Sequence, residues 1–107
     1  MTRHDAMRRE LVAHARASHR PTAAQAFHDV IVTDLRSELS RITAPLTMLF
    51  AMPAHWPAGP AEFEAALRAS FAGAPHARLV RVDESGRAIH LDQPGRVAEV
   101  IRELLAR

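Results

Sequence analysis

Apolar residues along this chain recur first at helical spacing, then in short unbroken runs, then at helical spacing again. Over residues 2–18 they fall at Ala6, Met7, Leu11, Val12 and Ala15, the three-and-four repeat of a helix with one apolar face. Thr2 can cap that helix, and Pro21 stops it within a few residues. The face is alanine-rich and shallow, so weak packing is expected. A second helix is predicted after Pro21, with Thr22 as its N-cap and Ala23, Ala26, Phe27, Val30 and Ile31 as its apolar set. Asp34-Leu35-Arg36 then begins a short turn that ends near Ser40, with Leu35, Leu39 and Ile42 predicted to face inward.

Thr43 and Ala44 lead through Pro45 into Leu46-Thr47-Met48-Leu49-Phe50-Ala51. A near-continuous apolar run of this length is the pattern of a strand buried on both faces, and a strand tolerates proline at its first position. Met52 to Pro60 holds prolines and Gly59, which makes it a loop at the strand's carboxyl end, carrying His55 and Trp56. Ala61 to Phe71 has the spacing of an amphipathic helix, with Phe63, Ala66, Leu67, Ser70 and Phe71 inward. Gly73 and Pro75 end it in the order expected of a helix C-terminus. Ala77 to Val82 is a second strand. Last comes a helix opening at Pro94, with Asp92 as a candidate cap and an apolar stripe of Val97, Val100, Ile101, Leu104 and Leu105.

Strand, helix, strand within about forty residues predicts a parallel βαβ unit with a right-handed crossover. The predicted class is therefore α/β: two N-terminal helices, then a parallel β-α-β unit and a C-terminal helix. Residues 1–41 form a helical segment and residues 42–107 a β-α-β-α segment. The stretch from Val80 to Pro94 is the junction where an α/β architecture usually places its chemistry, at a strand's carboxyl end. It combines a strand end, a polar loop with Gly86, a short apolar turn and a helix start.

Composition narrows this picture little. With 107 residues, 48% of them apolar, the chain is a single small domain or part of a larger one, with material for a modest core. It has no cysteine, which rules out a disulfide framework and a thiolate metal site. No apolar run approaches the ~20 residues of a membrane span, and the charged start has no secretory apolar segment. A cytoplasmic protein without membrane association is expected. All fourteen basic residues are arginine, a bias that GC-rich coding gives. The net charge is only +2, and the arginines are spread among twelve carboxylates. Nucleic-acid binding asks instead for a clustered basic face with aromatics between, so no nucleic-acid partner is expected. His14 and His19 are five apart, not the i, i+4 spacing of a helical metal pair. Neither a metal nor a cofactor is expected, and His4, His14 and His19 are taken as solvated.

The order of Asp34-Leu35-Arg36, Ile42-Thr43-Ala44-Pro45, Ala77-Arg78-Leu79-Val80 and Leu91-Asp92-Gln93-Pro94, followed by Val97-Ala98-Glu99-Val100-Ile101, resembles the carboxyl-terminal part of an α/β-hydrolase. The resemblance covers about Arg36 to Arg107 well and Thr2 to Asp34 loosely. It implies the last two strands of that fold, its closing helix and part of a cap or connector, with an ester- or lactone-type hydrolase ancestry. Such enzymes use a nucleophile on a G-x-S-x-G elbow, then an acid, then a histidine.

Tested against that pattern, the catalytic set is incomplete. The five serines, Ser18, Ser37, Ser40, Ser70 and Ser85, all lie outside a G-x-S-x-G elbow, which in the family lies well upstream. The loop after the penultimate strand, Met52 to Pro57, holds no carboxylate. Counting back from Asp92-Gln93-Pro94, the family's serine, small residue, histidine and apolar residue fall on Ser85, Gly86, Arg87 and Ala88. Arg87 thus stands at the family's histidine position. A guanidinium keeps its proton near neutral pH and cannot act as general base. His90, three residues on, is a weak stand-in, because three residues displace a side chain by several ångström and ~1 Å can cost ~100-fold. His55 and Ser85 are weaker candidates still, since spacing gives neither an activating partner.

Three functions follow as expectations. One is a carboxyl-terminal hydrolase portion, inactive alone, that oligomerises through exposed strand edges or pairs with a complementary hydrolase fragment. A second is a stand-alone interaction or small-anion-binding module in which Arg87 holds a carboxylate or phosphate. A third is an enzyme whose partner chain supplies nucleophile and acid, with His90 as base.

Overall fold

The computed structural model describes residues 4–107. In chain order they form α1 (Asp5–Ala17), α2 (Arg20–Val32), a 3-10 helix (Arg36–Arg41), β1 (Thr47–Phe50), α3 (Pro60–Ser70), β2 (Arg78–Arg81), a single helical turn α4 (Ile89–Asp92) and α5 (Pro94–Leu105). The result is a mixed helical chain around a two-stranded sheet, an α/β arrangement at the coarse level. β1 and β2 pair in parallel, with Thr47 opposite Arg78 and Phe50 opposite Arg81. Val82 extends the ladder by donating its N–H to Phe50 O at 2.8 Å. No helix among the described residues is long and apolar enough to cross a membrane.

The core is small. Its buried apolar residues are Phe50 of β1, Val80 of β2, Val82 just beyond it, Ala74 of the turn after α3 and Val100 of α5. An aromatic chain extends it outward. Phe63 of α3 lies 6.0 Å from Phe50, and Trp56 sits edge-on to Phe63 at 4.9 Å, the T-shaped arrangement that ring quadrupoles favour. The 3-10 helix lies against the turn after α3. A Cβ on Gly73 would come within 3.1 Å of Arg36 O and 3.3 Å of Leu39 Cβ, so the glycine permits that approach.

Several expectations change. Thr2, the expected cap of α1, lies outside the described residues; His4 occupies the N-cap position. α2 begins one residue before Pro21 with His19 at its N-cap, because proline fits the first turn, where its missing N–H has no helical partner to lose. Thr22 is therefore inside the helix, and its Oγ1 lies 2.8 Å from His19 Nδ1. The apolar set of α2 is uncovered: Phe27, Val30 and Ile31 are all about two-thirds exposed or more. Leu35 and Ile42 are exposed as well, and only Leu39 of that trio is half-buried. On α3, Ala66 faces solvent while Phe63, Leu67, Ser70 and Phe71 are half-buried.

β1 is not buried on both faces. Thr47, Met48 and Leu49 are half-buried and only Phe50 is fully so, because neither α1 nor α2 packs extensively on another element. On α5, Val100 is buried and Val97 and Leu104 half-buried, but Ile101 and Leu105 face solvent. Asp92 is the last residue of α4, and Gln93 holds the N-cap position of α5. Asp92 is a latch on the preceding loop, not a cap.

Candidate functional site

The loops that follow β1 and β2 both leave the sheet at its carboxyl edge, and they enclose a cleft of about 870 Å³. The loop after β1 contributes His55 and Trp56, the loop after β2 contributes Ser85, Gly86 and Arg87, and α1 contributes Arg8. Phe63 of α3 and the run Ala51 to Ala54 supply apolar wall. This is where ligands sit in open α/β sheets, and its size is that of a small-molecule site.

Hydrogen bonds among the described residues tie down the loop after β2. Asp92, 8% exposed, accepts a 2.8 Å hydrogen bond on Oδ2 from the Gly86 N–H. Gln93 Nε2 donates to Glu84 O at 3.2 Å. The Ser85 hydroxyl, 4% exposed, donates to Gly86 O at 2.9 Å. The left-handed residue of the turn is Glu84, with φ of 53°. Gly86, the glycine of this loop, has no positive φ. Its part is to present its N–H to Asp92.

The sequence-predicted candidates separate accordingly. Arg87 is exposed and lines the cleft, and no carboxylate lies within ion-pair range of it among the described residues. His55 and Ser85 share the same cleft. The Ser85 hydroxyl is committed to the neighbouring backbone carbonyl, so no base activates it. His90 is on α4, exposed, and is not part of the cleft wall. The Gly86 N–H, the backbone donor beside Arg87, is occupied by Asp92 and so is not directed at the cleft as an oxyanion donor.

Sequence reasoning missed Arg8. It sits on a helix assigned only weak packing, and its place in the cleft is a long-range consequence of where α1 lies. Its ion pair among the described residues, to Asp5 at 3.4 Å, is solvent-exposed, and exposed pairs hold their members loosely. Elsewhere the described residues contain no group of three or more His, Asp or Glu able to hold a metal ion.

Among the described residues the cleft offers two guanidiniums, an imidazole and an aromatic wall. None of these described lining residues carries a hydroxyl hydrogen-bonded to a base. Compared with protein-family models, curated proteins and solved structures, the chain finds no match in any of the three.

Proposed function

We propose that this chain is a carboxyl-terminal α/β-hydrolase portion without catalysis of its own, whose sheet is completed by a second copy or by a complementary hydrolase portion. The observation that carries this reading is the cleft at the strand ends, lined by Arg87, which the resemblance aligns with the family's histidine, and by Ser85, whose hydroxyl donates to a backbone carbonyl. The parallel β1–α3–β2 unit and the helix opening at Pro94 are in keeping with it. A guanidinium can neither take a proton from a nucleophile at neutral pH nor return one to a leaving group.

The test is hydrolysis of a short-chain nitrophenyl ester by the wild-type chain and by Arg87→His and His90→Ala. All three are expected to run at the buffer rate, since restoring a histidine does not supply a nucleophile. Turnover above buffer by the wild type, lost in His90→Ala, establishes the third possibility, an active enzyme, and ends this reading. Turnover by Arg87→His alone shows that a nucleophile exists in the chain after all.

A second reading is favoured by the two guanidiniums in one cleft: a non-catalytic module that binds a small anion. Arginine suits planar anions because its fork of donors matches two oxygens at once.

A further inference from the structure

We infer that the cleft between the β1 and β2 loops binds a carboxylate carried on an aromatic or alkyl body, with Arg87 and Arg8 on the carboxylate and Trp56 and Phe63 against the body. This rests on the small-anion reading above and deepens it by naming the ligand class; it does not depend on hydrolase descent.

Both cationic side chains line the cleft, and none of the lining residues is acidic. Arg87 has no ion-pair partner among the described residues, and the Asp5 partner of Arg8 is exposed and 3.4 Å away. The loop that carries Arg87 is fixed at its base by the Asp92 bond to Gly86, so the guanidinium is presented from an ordered backbone. That same bond occupies the neighbouring N–H. Anion recognition therefore falls to the guanidiniums, not to a backbone nest.

The apolar wall selects among anions. Trp56 and Phe63 lie edge-to-face at 4.9 Å, and Met52 and Pro53 join them in the wall. A free phosphate leaves that wall unused, and a neutral ester leaves the guanidiniums unpaired. An amphiphilic carboxylate satisfies both.

The chain contains one tryptophan, and it is Trp56 in the cleft wall, so intrinsic fluorescence reads the site directly. The full chain is titrated with 4-phenylbutyrate, 4-phenylbutanol, acetate and inorganic phosphate. The expected result is saturable change with phenylbutyrate, with affinity at least about tenfold weaker for the alcohol and for Arg87→Ala, the scale of losing a charge-assisted hydrogen-bonded pair. Arg87→Lys is expected to fall between. Because Arg87 is exposed, these variants should melt as the wild type does. If Arg87→Ala nevertheless unfolds, the salt dependence of phenylbutyrate binding to the wild type decides instead: affinity that falls with salt supports the proposal and salt-independent affinity overturns it. Equal affinity for alcohol and acid, or binding unchanged in Arg87→Ala, overturns both this proposal and the small-anion reading. Phosphate or acetate binding as tightly as phenylbutyrate, with loss in Arg87→Ala, overturns the ligand class and leaves the small-anion reading standing. No response to any probe overturns both.

Discussion

Asp92 is the residue on which the candidate site depends without touching a ligand. Its carboxylate is buried and holds the Gly86 N–H at 2.8 Å across six residues of chain. Removing the acceptor strands a part-buried donor, which costs about 1–3 kcal/mol. Asp92→Ala is expected to lower the unfolding free energy by that amount, read as a lower urea midpoint at unchanged denaturant slope. Asp92→Asn should lose less, because an amide oxygen still accepts. A midpoint equal to wild type for Asp92→Ala refutes the latch. The sequence made Asp92 visible as an acid just before the proline that opens α5, the usual mark of a cap. It could not show that residues 89–92 already form a helical turn, which aims the side chain backward at the loop. Nor could composition identify Glu84 as the left-handed residue when a glycine lay two positions on; that choice is made by the ties at Asp92 and Gln93, which no local propensity encodes.

Between elements, the tie most open to test joins β2 to α5. Arg78 donates to Glu103 Oε2 at 2.7 Å, and Arg96 lies 3.7 Å from Oε1. The hydrogen bond from Arg78 holds the Glu103 carboxyl below its ordinary value, burial opposes this, and the charges of Arg78, Arg96 and Arg107 add to it. A carboxyl lowered in the folded state adds stability that is complete above its unfolded value, about 4.5, and disappears as pH falls through the folded value. Glu103→Gln is therefore expected to melt below wild type at pH 7, with the two converging as pH falls below 4. A gap that stays constant from pH 7 to pH 3 would falsify a role for the charge. Elements such as α3 and α5 were legible in sequence because their periodicity is strong and Pro60, Gly73 and Pro94 punctuate them. What covers a strand is not written in the strand. The run from Leu46 to Ala51 has the composition of a two-sided core strand, yet its burial depends on helices that lie elsewhere.

At the scale of the whole molecule the uncovered apolar surface decides behaviour in solution. The radius of gyration is 15.9 Å, against about 13 Å for a compact domain of this length. Phe27, Val30 and Ile31 share one face of α2 at three- and four-residue spacing and are exposed, as are Ile101 and Leu105 on α5. The sheet has two strands in the order β1-β2, so among the described residues the outer edge of each is unpaired. Two strands with open edges are marginal alone and invite further pairing. The chain is therefore expected to associate, with light scattering after size exclusion giving a mass at least twice the 11.8 kDa of one chain. Phe27→Asp combined with Ile31→Asp places charge on the exposed face of α2 without touching the core, and should shift the population toward the single-chain mass if that face is the contact. If the double variant associates as wild type does, the contact lies on the strand edges or α5 instead. A stable wild-type species at 11.8 kDa across the micromolar range would show that the exposed face and open edges are tolerated in isolation, and the proposed completion of the sheet by a second copy would fall with it.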